Sequence, residues 1–128
     1  MENPSTEHQK LVGALINYFI TTLGYEILHA DYGNYKTPDR HGRHAPDIVA
    51  RDKNGILHLA EAKVGSDISS QITKEQFIDF SDRIMTVTRQ PVILDVVVYK
   101  QDEQLLKSRL YELGLSAKIG SKINIWTL

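Results

Sequence analysis

Apolar residues recur early in the chain at three- and four-residue spacing: Leu11, Leu15, Ile16, Phe19, Ile20 and Leu23. That period predicts an amphipathic helix from about Pro4 to Leu23. Asn3-Pro4, or Thr6 with Gln9, could cap its start, and Gly24 stops it. Tyr25 to Ala30 reads as a short strand, and Asp31 to Ala45 as a polar loop. Ile48 to Asp52 and Ile56 to Val64 are strand-like runs joined across Lys53-Asn54-Gly55, a hairpin signal. A second helix is expected from about Thr73 to Val87, with Phe77, Phe80, Ile84 and Val87 inward. Val92 to Tyr99 is almost continuously apolar, the pattern of a strand covered on both faces. Asp102 to Leu113 reads as a third helix closed by Gly114. The tail, Ala117 to Leu128, reads as a strand pair turning at Gly120-Ser121. This order predicts an α/β fold in which a mixed sheet is flanked by helices.

Three charged residues break the pattern inside the hairpin. Asp47 follows a proline at the mouth of an apolar strand, and Glu61 and Lys63 sit two apart within the next one. Residues two apart on a strand point the same way, so Glu61 and Lys63 share a face with Leu57 and Leu59. The position of Asp47 depends on register. A two-residue Asn54-Gly55 loop pairs it with Ala62; a three-residue Lys53-Asn54-Gly55 loop with left-handed Gly55 pairs it with Glu61. Facing carboxylates on a sheet repel by a few tenths to about 1 kcal/mol, so the second form calls for positive charge between them.

Composition adds limits. The chain has 128 residues, 41% hydrophobic and 24% charged, which suits one folded domain over residues 1–128. There is no cysteine, so a disulfide framework and a thiolate metal site are excluded. No run is long and apolar enough to span a bilayer, and the expectation is a cytoplasmic protein with no membrane and no organic cofactor among its partners. A formal charge of −1 means that any nucleic-acid surface has to be local.

Two carboxylates with positions left for water and phosphate suit magnesium, with manganese as substitute, and phosphoryl-transfer chemistry. The carbonyl of Ala62 is a further candidate ligand. Lys63 could orient or deprotonate a water, or stabilise the charge of the transition state. Hydrolysis of a nucleic-acid backbone is the reaction this set fits best.

Pro46-Asp47, thirteen intervening residues and Glu61-Ala62-Lys63, in the order helix, strand, hairpin, helix, apolar strand, resemble the PD-(D/E)XK superfamily, also called restriction-endonuclease-like. The resemblance covers roughly residues 5 to 100 and implies a metal-dependent DNA nuclease core. It implies that Asp47 and Glu61 are metal ligands, Lys63 the catalytic amine, and an acidic residue of the first helix a further ligand. Glu7 is the acidic residue available there; in line with Leu11 and Leu15, it is expected to face the sheet end. Gln76 lies where many relatives carry a functional polar residue on the second helix, although Thr73-x-x-Gln76 also fits a capping box. His8, His29, His44 and His58 have no metal-ligand spacing.

The loop from Gly33 to Ala45 carries Lys36, Arg40 and Arg43 against Asp39, a net of +2, and runs into Asp47. Phosphate contacts there would be salt-sensitive and blind to sequence. The chain is too short to add a separate recognition domain to the core. Minimal cores of this superfamily include archaeal Holliday junction resolvases, so a structure-selective DNA endonuclease is expected. The alternatives are a site-specific restriction or homing-type endonuclease, a non-cleaving nucleic-acid-binding module, and an interaction protein whose hairpin charges are structural. A homodimer is expected for two reasons. Ile123 and Ile125 on one face of the tail and Trp126 and Leu128 on the other exceed what a small core covers. Cutting two strands also needs two sites.

Overall fold

A computed structural model describes residues 5–40 and 44–128. Its elements are α1 (Thr6–Tyr18), β1 (Glu26–Ala30), β2 (Ile48–Arg51), β3 (Leu57–Ala62), α2 (Gln71–Ser81), β4 (Ile93–Val98), α3 (Glu103–Glu112) and β5 (Ile123–Thr127). The five strands form one sheet in the order β1-β2-β3-β4-β5. β1, β2 and β3 pair antiparallel, and β3, β4 and β5 pair parallel. The parallel half is made by the crossovers through α2 and α3, and both helices pack on one face. That face buries Val49, Leu59, Leu94, Val96, Val98 and Ile123 against Phe77, Phe80, Leu106 and Leu110. The other face holds α1, whose Leu11, Val12, Leu15, Ile16 and Phe19 lie on Ile48, Ala50, Ala60, Ala62 and Val97. This is the mixed, helix-flanked α/β sheet that the hydrophobic pattern predicts. Among the described residues no helix is long and apolar enough to cross a membrane.

Four local expectations differ. Ser5, not Thr6, caps α1, its Oγ accepting the His8 N–H at 3.1 Å; Asn3-Pro4 lies outside the described residues. The helix then widens into a π-helical turn, Phe19–Leu23, before Gly24 at φ 71° ends it. The extra residue per turn moves Ile20 out of the apolar stripe to 45% exposure.

α2 begins and ends earlier than the apolar spacing suggests. Ser70 caps it by accepting the Thr73 N–H at 3.1 Å, and it stops at Ser81. Ile84 joins an isolated bridge with Pro91, and Val87 is exposed. With Ser70 as cap, Gln76 is free of capping duty and turns inward with Thr73, Phe77 and Phe80.

The tail forms a 3₁₀ turn, Ser116–Lys118, and then the single strand β5 rather than a strand pair. Both faces of β5 are used within the chain. Ile123 is buried and Ile125 partly buried on the α2/α3 side, while Trp126 packs against Tyr18 of α1 with ring centroids 5.3 Å apart. Trp126 is thus partly covered by its own first helix, which removes it from the exposed-tail argument for a dimer, while Leu128 stays 54% exposed.

At the hairpin end of the sheet a polar group is buried among apolar neighbours. His58 Nδ1 lies 2.6 Å from Asp95 Oδ2, and Nε2 lies 2.9 Å from Asp52 Oδ2. Asp95 Oδ1 accepts from Trp126 Nε1 at 2.8 Å and from Asn124 Nδ2 at 3.1 Å. Strands β3, β4 and β5 and the hairpin turn are thereby tied by side chains.

Candidate active site

The opposite end of the sheet carries the charged residues, and the hairpin turn sets their alignment. Asp52 and Ile56 close the loop with a backbone bond of 2.9 Å, leaving Lys53-Asn54-Gly55 as a three-residue turn with Gly55 at φ 82°. Only a residue without a Cβ takes that conformation cheaply. Ile48 then pairs with Ala60 and Arg51 with Leu57, which brings Asp47 to the level of Glu61. The three-residue alternative is the one realised.

Asp47 is held from several sides. Its N–H donates to the Ala60 carbonyl at 3.0 Å, and its own carbonyl accepts from Asp31 N at 2.9 Å. Oδ2 accepts from the Ala62 N–H at 2.9 Å and lies 3.1 Å from His8 Nε2. Glu61, on β3, is 3% exposed and Lys63, just beyond it, 9%. Gln76 reaches them from α2. Its Oε1 accepts a hydrogen bond from Lys63 Nζ, and its Nε2 lies 3.5 Å from Glu61 Oε1. Lys63 Nζ stands 4.0 Å from Glu61 Oε2.

The structure thus brings Asp47, Glu61, Lys63 and Gln76 together, with Ala62 supplying an N–H to Asp47. It does not bring Glu7. That side chain is exposed, and among the described residues it is the Glu7 carbonyl that is engaged, accepting the Tyr99 hydroxyl at 3.0 Å. The expectation that Glu7 faces the sheet end is therefore corrected: α1 enters with its next residue, His8, pointing inward. Ser5 as cap puts His8 at the third helical position, in line with Leu11, Val12 and Leu15, which is the signal that sequence reading passed over. Lys36 and Arg40 are exposed on the loop that leads to Asp47. The loop is fastened there by Ala30 N to the Lys36 carbonyl at 3.0 Å and by the Asp31–Asp47 bond. Arg43 lies outside the described residues.

The two carboxyls are driven apart electrostatically. Burial, reinforced by the charge of Asp47, pushes Glu61 well above the usual carboxylate range, and Lys63 offsets this only in part. Burial also acts against ionisation of Asp47. It is outweighed by the hydrogen bond and charge of His8, the Ala62 N–H and a hydrogen bond from Glu61, so Asp47 is lowered. The His8 ring is raised in turn, chiefly by its bond to Asp47. Facing carboxylates without a cation between them favour holding one proton as a pair.

That state is a test of fit for a divalent ion. Hard oxygen donors that cannot both ionise alone match magnesium, which is bound through one or two carboxylates and keeps several waters. Among the described residues no group of three or more His, Asp or Glu side chains is arranged to hold a metal. Water would therefore have to complete the shell.

No family model matches the chain, and no curated protein does. Among solved structures it is similar to a chain in an EndoMS–dsDNA complex, at 13% identity and a TM-score of 0.42. The alignment covers 98% of this chain and 47% of that one, so this chain spans about half the length of its structural neighbour.

Proposed function

We propose that the protein is a metal-dependent deoxyribonuclease that hydrolyses phosphodiester bonds at the Asp47–Glu61–Lys63 centre. The observation that supports this reading is the buried carboxyl pair with an amine 4.0 Å from one of its members. Asp47 and Glu61 would hold magnesium, or manganese in its place, with the Ala62 carbonyl as a further donor. When bound, the ion supplies a Lewis acid for a phosphate oxygen and an acidified water.

The chain's own residues do the rest. Lys63 donates to the developing charge or orients the water, and Gln76 fixes the amine relative to Glu61. Lys36, Arg40 and Arg43 would meet the phosphates that flank the scissile one, giving binding that weakens with salt. A structure-selective endonuclease, of the kind that acts on junctions, is the preferred subtype. A homodimer is proposed on the functional ground alone that two strands need two sites.

Cleavage of duplex, single-stranded, flapped and four-way DNA with Mg²⁺ or Mn²⁺ tests the reading. Metal-dependent cutting that prefers the four-way substrate is expected. Binding of these DNAs without cutting in either metal would turn the reading toward a non-cleaving module, and sedimentation at micromolar concentration decides the dimer.

A further inference from the structure

We propose that His8 is a positioning residue that assigns the two oxygens of Asp47 to different tasks. Oδ2 receives both the Ala62 N–H, at 2.9 Å, and His8 Nε2, at 3.1 Å. A carboxylate oxygen offers about two lone-pair sites, so Oδ2 is filled by these two donors, and a cation that displaces the hydrogen bond from Glu61 would take Oδ1. Against a carboxylate, Nε2 must carry its proton and donate. Asp47 would therefore offer a cation one oxygen, in an orientation set by α1 and β3 together.

The first turn of α1 is built to hold His8 there. Ser5 Oγ accepts the His8 N–H at 3.1 Å, and the Tyr99 hydroxyl grips the adjacent Glu7 carbonyl at 3.0 Å. The turn is thus pinned both to its own cap and to the end of β4. His8 Nδ1 is buried with no hydrogen-bond partner among the described residues, so none of them competes as an anchor for the ring there. A carboxylate at this position would add a third acid beside Asp47 and Glu61; the imidazole adds a donor instead.

The metal part of this inference rests on the nuclease reading, and the orientation of Asp47 does not. Its test uses the full chain and His8→Ala and His8→Gln, with Gln retaining an N–H donor. Mn²⁺ affinity is measured by calorimetry. The Ala62 amide, which shares Oδ2, is followed in metal-free protein by its proton shift and hydrogen exchange. His8→Ala should weaken Mn²⁺ binding about 10- to 100-fold, the usual effect of losing a group that orients a ligand. It should also speed exchange of the Ala62 amide, and His8→Gln should restore much of both. Unchanged or tighter Mn²⁺ binding in His8→Ala would overturn the proposal, the tighter case showing that His8 occupies an oxygen the ion needs. If the unsubstituted protein binds no Mn²⁺, the nuclease reading fails. The Ala62 amide then decides alone, and an unchanged amide in a folded His8→Ala overturns the proposal.

Discussion

Glu61 and Lys63 leave β3 on the same face, and their polar ends stand 4.0 Å apart with the amide of Gln76 reaching both. Two residues of one strand cannot by themselves hold an amine at a chosen angle, because the lysine stem has four rotatable carbons. The α2 amide supplies the missing constraint. Gln76→Leu keeps the volume and removes both contacts. It should lower the cleavage rate about 10- to 100-fold with DNA affinity nearly unchanged. Single-turnover kinetics separate the two, and a loss confined to affinity would place Gln76 on DNA instead.

Asp47→Ala, Glu61→Ala and Lys63→Ala should each abolish Mg²⁺-dependent cleavage while circular dichroism stays unchanged. The three act as one unit, so a double variant should be no worse than the most damaged single one. Full cleavage by any of them in a plasmid-nicking assay removes the mechanism.

Carboxylate repulsion suggests that either acid could be removed to stabilise the metal-free fold, but the surroundings of the two differ. Asp47 is satisfied by His8 and the Ala62 N–H, so Asp47→Ala leaves both donors without an acceptor and should destabilise. Glu61 is the strained member. Because burial and Asp47 raise its folded pKa, its contribution to stability is complete below about pH 4.3, the unfolded value, and is lost as pH rises through the folded one. At neutral pH, Glu61→Gln should therefore stabilise the metal-free protein by roughly 1–3 kcal/mol, the scale of a poorly satisfied buried polar group. Thermal melts in chelator measure it, and a lowered midpoint would contradict the charge assignment.

The sheet, its three helices and the charged hairpin were legible because each rests on a short-range pattern. Period 3.6 gives α1, alternation places Glu61 with Lys63, and Asn54-Gly55 marks the turn. What was not legible depended on one-residue shifts. Moving the cap of α1 to Ser5 exchanges Glu7 for His8 at the site, and moving the cap of α2 to Ser70 frees Gln76 to enter it. A π-helical turn at Phe19–Leu23 leaves no mark in apolar spacing. Asp95 did leave one, a lone carboxylate inside an apolar strand. Its partner His58 lies 37 residues away in sequence, and only the β3–β4 register brings them together.

That buried pair gives the protein a second pH dependence, away from the candidate active site. Both ring nitrogens of His58 meet carboxylates, Asp95 on β4 and Asp52 at the hairpin, while Phe19 and Tyr25 cover the ring and Asn124 and Trp126 cap Asp95. Burial opposes the charged ring but is outweighed by bonds and charge from Asp95 and Asp52, so His58 is raised. Burial likewise opposes ionisation of Asp52 and is outweighed by His58 and the Ile56 and Asn54 N–H groups, so Asp52 is lowered. The signs are opposite. The His58 contribution is complete below about pH 6.5 and is lost as pH rises through its folded value, whereas that of Asp52 is complete above about pH 3.9 and is lost on acidification. His58→Ala leaves the buried Asp95 and the partly buried Asp52 without the ring they share, and should cost roughly 3–5 kcal/mol. It should also flatten the decline in stability that sets in as pH rises above about 6.5. Trp126 is the one tryptophan in the chain and donates to Asp95, so its fluorescence reports the network directly in urea melts. A variant that keeps the alkaline decline of the unsubstituted protein would show that another group carries it.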